Sequence, residues 1–154
     1  MTGPSTPTRT TRHAVSTDRA PAPAGGYSQG IAAGPYLFTS GFGPQDPSTG
    51  AVADTVAEQT AQVLRNIGAV LDSEGLGPED VVKVTAHLQH LHRDFASFDA
   101  AYRAFFTTPL PVRTTVGSDL MNILVEIDVV ALRRETPEPS CETPEPSCET
   151  PEPS

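Results

Sequence analysis

The stretch PVRTTVGSDLMNILVEIDVVAL, Pro111 to Leu132, decides how this chain folds. Read with the period of two that a strand imposes, Val112, Thr114 and Val116 share one face, and Arg113 and Thr115 the other. Further on, Ile123, Val125, Ile127 and Val129 share a face, while Leu124, Glu126, Asp128, Val130 and Leu132 share the opposite one. Two such runs joined by the short link Gly117 to Asn122 read as a hairpin. Neither side of its second strand is a plain water face, because the charged side also carries aliphatics. Such a face calls for a cover, and a second copy of the same sheet is the economical one. Arg113 and Glu126 are then charges in a partly dry cleft, where an arginine clamps a carboxylate with paired donors and a glutamate orients or deprotonates water. The same spacing also allows the two residues simply to pair with each other across the hairpin.

Working outward, the segment before the hairpin carries a helical stripe, Phe95, Phe98, Ala101, Tyr102, Phe105 and Phe106, starting near Asp94 and stopped by Pro109 and Pro111. Ahead of it Val81 to Leu88 alternates as a strand, with Val82, Val84, Ala86 and Leu88 on one side and Lys83, Thr85 and His87 on the other. Thr55 to Glu74 is the clearest helix: Thr55 and Glu58 form a capping box, Val56, Thr60, Val63, Leu64, Ile67, Val70 and Leu71 recur at helical spacing, and Gly75 closes the end. Ile31 to Ala33 and Tyr36 to Ser40 read as two strands around the turn Gly34-Pro35. The order strand, strand, helix, strand, helix, strand, strand predicts an α+β domain, a mixed β-sheet with two helices on one face.

The ends differ from this body. Residues 1–26, rich in Pro, Thr, Ala and Gly without a period, read as a disordered leader; 27–134 is the domain; 135–154 is an acidic tail built on the repeat TPEPSCE, expected to stay extended and solvated. The net charge of −9 is dominated by these ends: setting aside six tail glutamates and the leader's surplus of two positive charges leaves −5 for the middle. An acidic body with seven Lys and Arg and no basic run makes nucleic acid a poor partner. Both cysteines, Cys141 and Cys148, lie in the tail, and no run has signal-peptide or membrane length, so a cytoplasmic protein without a membrane partner is expected.

Other titratable residues carry less. His87, His90 and His92 cluster near the end of the third strand, but only Asp94 accompanies them, so solvated histidines are favoured over a metal site and no metal is expected. Asp128 shares a face with Glu126 and is read as an interface hydrogen-bonding group. Ser28 and Ser40 have no histidine at an informative spacing.

Several segments, in this order and spacing, resemble one family: Tyr27-Ser28-Gln29-Gly30, Phe38-Thr39-Ser40-Gly41, Asp46-Pro47-Ser48-Thr49-Gly50, Val81-Val82-Lys83-Val84-Thr85, Ala101-Tyr102-Arg103-Ala104-Phe105-Phe106, Pro111-Val112-Arg113-Thr114-Thr115-Val116 and Val125-Glu126-Ile127. The chain from about Gly26 to Arg134 resembles the Rid (YjgF/YER057c/UK114) family of reactive-intermediate (enamine/imine) deaminases. The resemblance implies a chorismate-mutase-like fold, a homotrimer with clefts between subunits, and a cofactor-free hydrolysis of 2-imino acids to 2-ketoacids and ammonia. It further implies that Arg113 binds the substrate carboxylate, that Glu126 places the attacking water, and that Tyr27 lines the cleft. Three departures bear on substrate. Thr115 stands where the family often has cysteine, Asp99 where many members have asparagine, and the link Gly117 to Asn122 is short. Thr115 and Asp99 therefore join Tyr27 and Arg113 as candidate substrate-binding residues. These departures keep open a role in a specialised biosynthetic pathway, and a non-catalytic trimer binding a small carboxylate.

Overall fold

The computed structural model describes residues 11–134; the first part of the expected leader and the whole repeat tail lie outside the described residues. Six strands and two helices follow in the order β1 (Arg12–Val15), β2 (Gly30–Ala33), β3 (Tyr36–Thr39), α1 (Val56–Ser73), β4 (Val81–Leu88), α2 (Leu91–Phe105), β5 (Val112–Gly117) and β6 (Val125–Leu132). They form one mixed sheet in the order β1-β2-β3-β6-β4-β5, in which only β4 and β5 run parallel.

The two strands that decide the fold are therefore not a hairpin. β4 lies between them: Val84 pairs with Arg113 on one side and with Val129 on the other. The reason is topological. A helix between β4 and β5 carries the chain back so that the second strand lies parallel to the first. The seven residues 118–124 then step over β4, roughly 10 Å at the usual strand spacing. Short links between apolar strands look like hairpins in sequence whether or not a strand intervenes.

α1 forms as expected. The Thr55 hydroxyl accepts the Glu58 amide at 3.3 Å, and at the far end Gly75 (φ 70°) lets Leu76 N–H reach Leu71 O and Gly75 N–H reach Asp72 O. α2 begins three residues before Asp94, at Leu91, and only Asp94, Phe98 and Tyr102 along it are buried. Both helices cover one face of the sheet, where Leu37, Val84, Ala86, Leu88, Val125, Ile127, Val129 and Ala131 are all at most 1% exposed. Val82 departs from its expected side, because a bulge between Val81 and Lys83 shifts the register and leaves it exposed.

The other face has no cover among the described residues. There β3 presents Tyr36 and Phe38, β5 presents Val112 and Val116, and β6 presents Glu126, Asp128, Val130 and Leu132; Tyr36, Phe38 and Leu132 are 42, 44 and 47% exposed.

The leader also needs correction. β1 pairs with β2 from Arg12↔Ala33 to Val15↔Gly30, and Val15 and Ala20 are each 3% exposed. The cause is one buried glutamine. The Gln29 amide donates to Thr17 O (3.0 Å), Ala20 O (3.1 Å) and Pro21 O (2.9 Å), while its oxygen accepts the Thr17 amide at 2.6 Å. A segment pinned by the side chain of a residue outside it shows no period of its own.

Candidate active site

Glu126 stands on the uncovered face of β6, where an isolated bridge between Phe42 and Ile127 brings the end of the β3 chain alongside. That bridge places Gly41 directly against the glutamate: a Cβ on Gly41 would lie 2.5 Å from Glu126 Oε1. The carboxylate lines a cleft of about 710 Å³ together with Tyr27, Ser40, Gly41, Leu120 and Met121. Two loops wall it. The loop 20–29 is held by Gln29, and the loop 118–124 by Gln59 of α1, whose oxygen accepts the Leu124 amide at 2.7 Å. Among the described residues Glu126 has neither a hydrogen-bond nor an ion-pair partner, so its oxygens are available to water.

His87 is the strand residue opposite Glu126 in β4, on the same face, and its Nδ1 is 2.7 Å from Ser118 Oγ. It is thus part of the sheet rather than a solvated loop residue. His90 occupies the N-cap position of α2 without a side-chain capping bond, His92 lies in the first turn, and no group of acidic, His or Cys side chains suited to a metal occurs among the described residues.

Arg113 is elsewhere. Its register partner is Val84, a core residue, so its side chain points to the α2 side of the sheet. The guanidinium carbon sits 4.4 Å from the Tyr102 ring centroid, 5.3 Å from Phe98 and 5.8 Å from Phe95, a cation–π bed that favours a planar arginine. Arg113 Nη1 donates to Asp99 Oδ1 at 2.8 Å, and Arg103 Nε donates to Asp99 Oδ2 at 2.7 Å. Bonds from Arg103 first, and Arg113 second, hold the Asp99 carboxyl below its ordinary range. Burial pushes the Tyr102 phenol up. A second, smaller cavity of about 230 Å³ opens beside Arg113, lined also by Tyr102, Leu110 and Pro111. Thr115 lies on this same side of β5, its Oγ1 buried without a hydrogen-bond partner, as is the Tyr102 hydroxyl.

The expected site residues thus fall into two groups. Tyr27 and Glu126 come together in one cleft, and Arg113 and Asp99 in another on the opposite face of the sheet, with Thr115 on the same side of β5 but outside that cavity's lining. Arg113 does not pair with Glu126; it pairs with Asp99. Asp99 in turn has both oxygens engaged by arginines. Ser40 has no histidine at an informative spacing, yet its hydroxyl, buried and without a partner among the described residues, lines the Glu126 cleft. Its place beside Gly41 in the segment Phe38-Thr39-Ser40-Gly41 was the only signal for it.

Comparison with known proteins matches residues 17–133 to a family profile described as Endoribonuclease L-PSP. The chain is 40% identical over 125 residues to the 2-iminobutanoate/2-iminopropanoate deaminase of Salmonella typhimurium, covering 78% of this chain and 97% of that one. It is 38% identical over 125 residues to the protein of the same name in Escherichia coli K12, with the same coverage. Among solved structures, the E. coli YjgF gene product superposes with a TM-score of 0.74 at 36% identity, covering 79% of this chain and 99% of that one. E. coli TdcF with bound serine superposes with a TM-score of 0.74 at 32% identity, again covering 79% and 99%. A profile match over most of the chain, relatives near 40% identity across nearly their whole length, and the α+β sheet with its two helices agree: this chain belongs to the Rid (YjgF) family.

Proposed function

We propose that the protein is a hydrolytic deaminase of 2-imino acids, working in clefts that two chains of a homotrimer build together. The observation that carries this reading is the unpaired carboxylate of Glu126 at the wall of a cleft whose own chain turns its carboxylate-binding arginine to the other face of the sheet. A neighbouring chain packed on the uncovered face supplies the missing arginine. The relatives' names support the chemistry, and the serine held by TdcF, an amino acid with a free carboxylate, supports the ligand class.

In this mechanism Arg113 grips the substrate carboxylate through paired donors and Glu126 holds a water against the imine carbon. The water oxygen bonds to that carbon as the C=N π electrons move to nitrogen, and Glu126 accepts a water proton. That proton passes to nitrogen to give a carbinolamine; Glu126 then takes the hydroxyl proton and hands it to the amino group, ammonia leaves as the C–O bond becomes a carbonyl, and the glutamate is regenerated. One imino acid and one water thus give one 2-ketoacid and one ammonia. The acidic body remains a poor match for RNA, whose phosphates need many cations.

The test generates imines with an amino-acid oxidase and times ketoacid release with and without the protein. Light scattering is expected to give three times the chain mass of 16.2 kDa. Chains bearing Arg113→Ala and chains bearing Glu126→Gln, each inactive alone, are expected to recover about a quarter of the wild-type rate when co-assembled in equal amounts, since a quarter of randomly formed shared clefts draw both intact residues. A monomer, or no recovery on co-assembly, overturns the shared cleft; no acceleration of ketoacid release overturns the activity.

A further inference from the structure

We infer that Asp99 and Arg103 are positioning residues for Arg113, forming with it a three-charge cluster that is one anion short and so accepts a single carboxylate. The inference rests on the reading of Arg113 as the carboxylate clamp. It starts from the use of Arg113's donors. A guanidinium has five N–H groups, and among the described residues Arg113 gives one nitrogen to Asp99 and has no other protein acceptor. Its flat face is fixed on Tyr102 and Phe98, and one corner is fixed by Asp99. The unused donors belong to a planar group whose rotation is therefore already restricted, beside a cavity of about 230 Å³.

The charge count follows from the same contacts. Asp99 is shared: Oδ1 takes Arg113 and Oδ2 takes Arg103, four residues on in α2. Two guanidinium groups and one carboxylate leave a surplus of one positive charge. If Asp99 had only Arg113 as a partner, that pair would be neutral, and an incoming carboxylate would meet the aspartate's repulsion without compensation. Arg103 supplies that compensation although it need not touch the ligand. Its side chain is 67% exposed, against 20% for Arg113 and 19% for Asp99, so it balances the charge from the solvent side while the other two stay sheltered. The buried Tyr102, 3% exposed and lining the same cavity, has a hydroxyl with no partner among the described residues, a second indication that a polar group completes this place.

The experiment uses the full-length protein and 2-oxobutanoate as probe. Its Kd is measured by titration, with KM and kcat from oxidase-generated imine, in wild type, Arg103→Gln, Asp99→Asn and the double variant. Arg103→Gln is expected to raise Kd and KM about three- to tenfold, the scale of a partly exposed charge contact. The change sits in KM rather than kcat, and the melting temperature is preserved. Adding Asp99→Asn in the same chain removes the charge that Arg103 compensates, and is expected to bring Kd back to within about twofold of wild type. An unchanged Kd in Arg103→Gln, an effect confined to kcat, or a double variant no better than the single one overturns the inference while leaving the Arg113 clamp standing. Binding of 2-oxobutanoate that Arg113→Ala does not weaken overturns both.

Discussion

Replacing Gly41 by alanine tests the place of Glu126 more sharply than replacing Glu126 itself. The added methyl would stand 2.5 Å from Oε1, 2.9 Å from Cδ and 3.1 Å from Cγ of the glutamate, where ordinary contact begins at 3.4 Å, so the carboxylate must retreat by roughly 1 Å. The backbone has no reason to object. Gly41 is not among the glycines with positive φ, and the atoms in the way are the far end of a flexible side chain rather than main chain. Stability should therefore change by less than about 1 kcal/mol, a melting shift under about 6 °C for a domain of this size. The rate should suffer far more, because a catalytic group displaced by about 1 Å costs on the order of 10²-fold. The assay is ketoacid release from oxidase-generated imines, paired with thermal unfolding of the same preparation. Glu126→Gln serves as the reference for full loss, expected at about 10²–10⁴-fold. A Gly41→Ala protein that keeps its melting temperature and its full rate would refute Glu126 as the water-placing group, since its carboxylate could then move freely without consequence.

Three further outcomes follow from contacts around this site. Arg113→Lys keeps a charge for Asp99 but loses the planar grip and the stacking on Tyr102, so imine hydrolysis should fall by at least about 10²-fold and small carboxylates should no longer raise the melting temperature; Arg113→Ala, which leaves Asp99 its bond to Arg103, should cost only about 1–2 kcal/mol of stability in urea unfolding. Gln29→Ala abandons three carbonyls and frees the segment carrying β1, and should destabilise by about 2–3 kcal/mol, with loss of activity because Pro21 to Tyr27 wall the Glu126 cleft; an unaffected protein would mean that the arm is dispensable. Acid should act through Asp94 and Asp99, whose carboxyls are lowered by bonds from Arg93 and from Arg103 and Arg113; the stability they contribute is fully present above the ordinary aspartate value of about 3.9 and drains away as pH falls below it, so Asp99→Asn should flatten the melting temperature's decline in that range.

Much of this protein was legible in its residues alone, where the signal is local. The period of two in β6 separated Val125, Ile127 and Val129 from Glu126 and Asp128, and the structure puts the first set under the helices and the second on the uncovered face. Thr55, Glu58 and Gly75 bounded α1 because caps are formed by neighbours in sequence. Arg113 and Glu126 stand out for the same reason: an isolated arginine and an isolated glutamate among aliphatics draw notice in any order.

What sequence could not decide is which of these residues meet. Arg113 and Glu126 are thirteen positions apart and look like facing members of a hairpin, yet β4, more than twenty positions upstream of Arg113, lies between them, and the partner of Arg113 is Asp99 on a helix. Strand order depends on how loops close and which apolar faces find each other, information held by no single segment. The described arm, residues 11–25, shows the same limit. Its own residues carry no period, and its structure comes from Gln29, outside it, whose four hydrogen bonds are satisfied only when the sheet has formed.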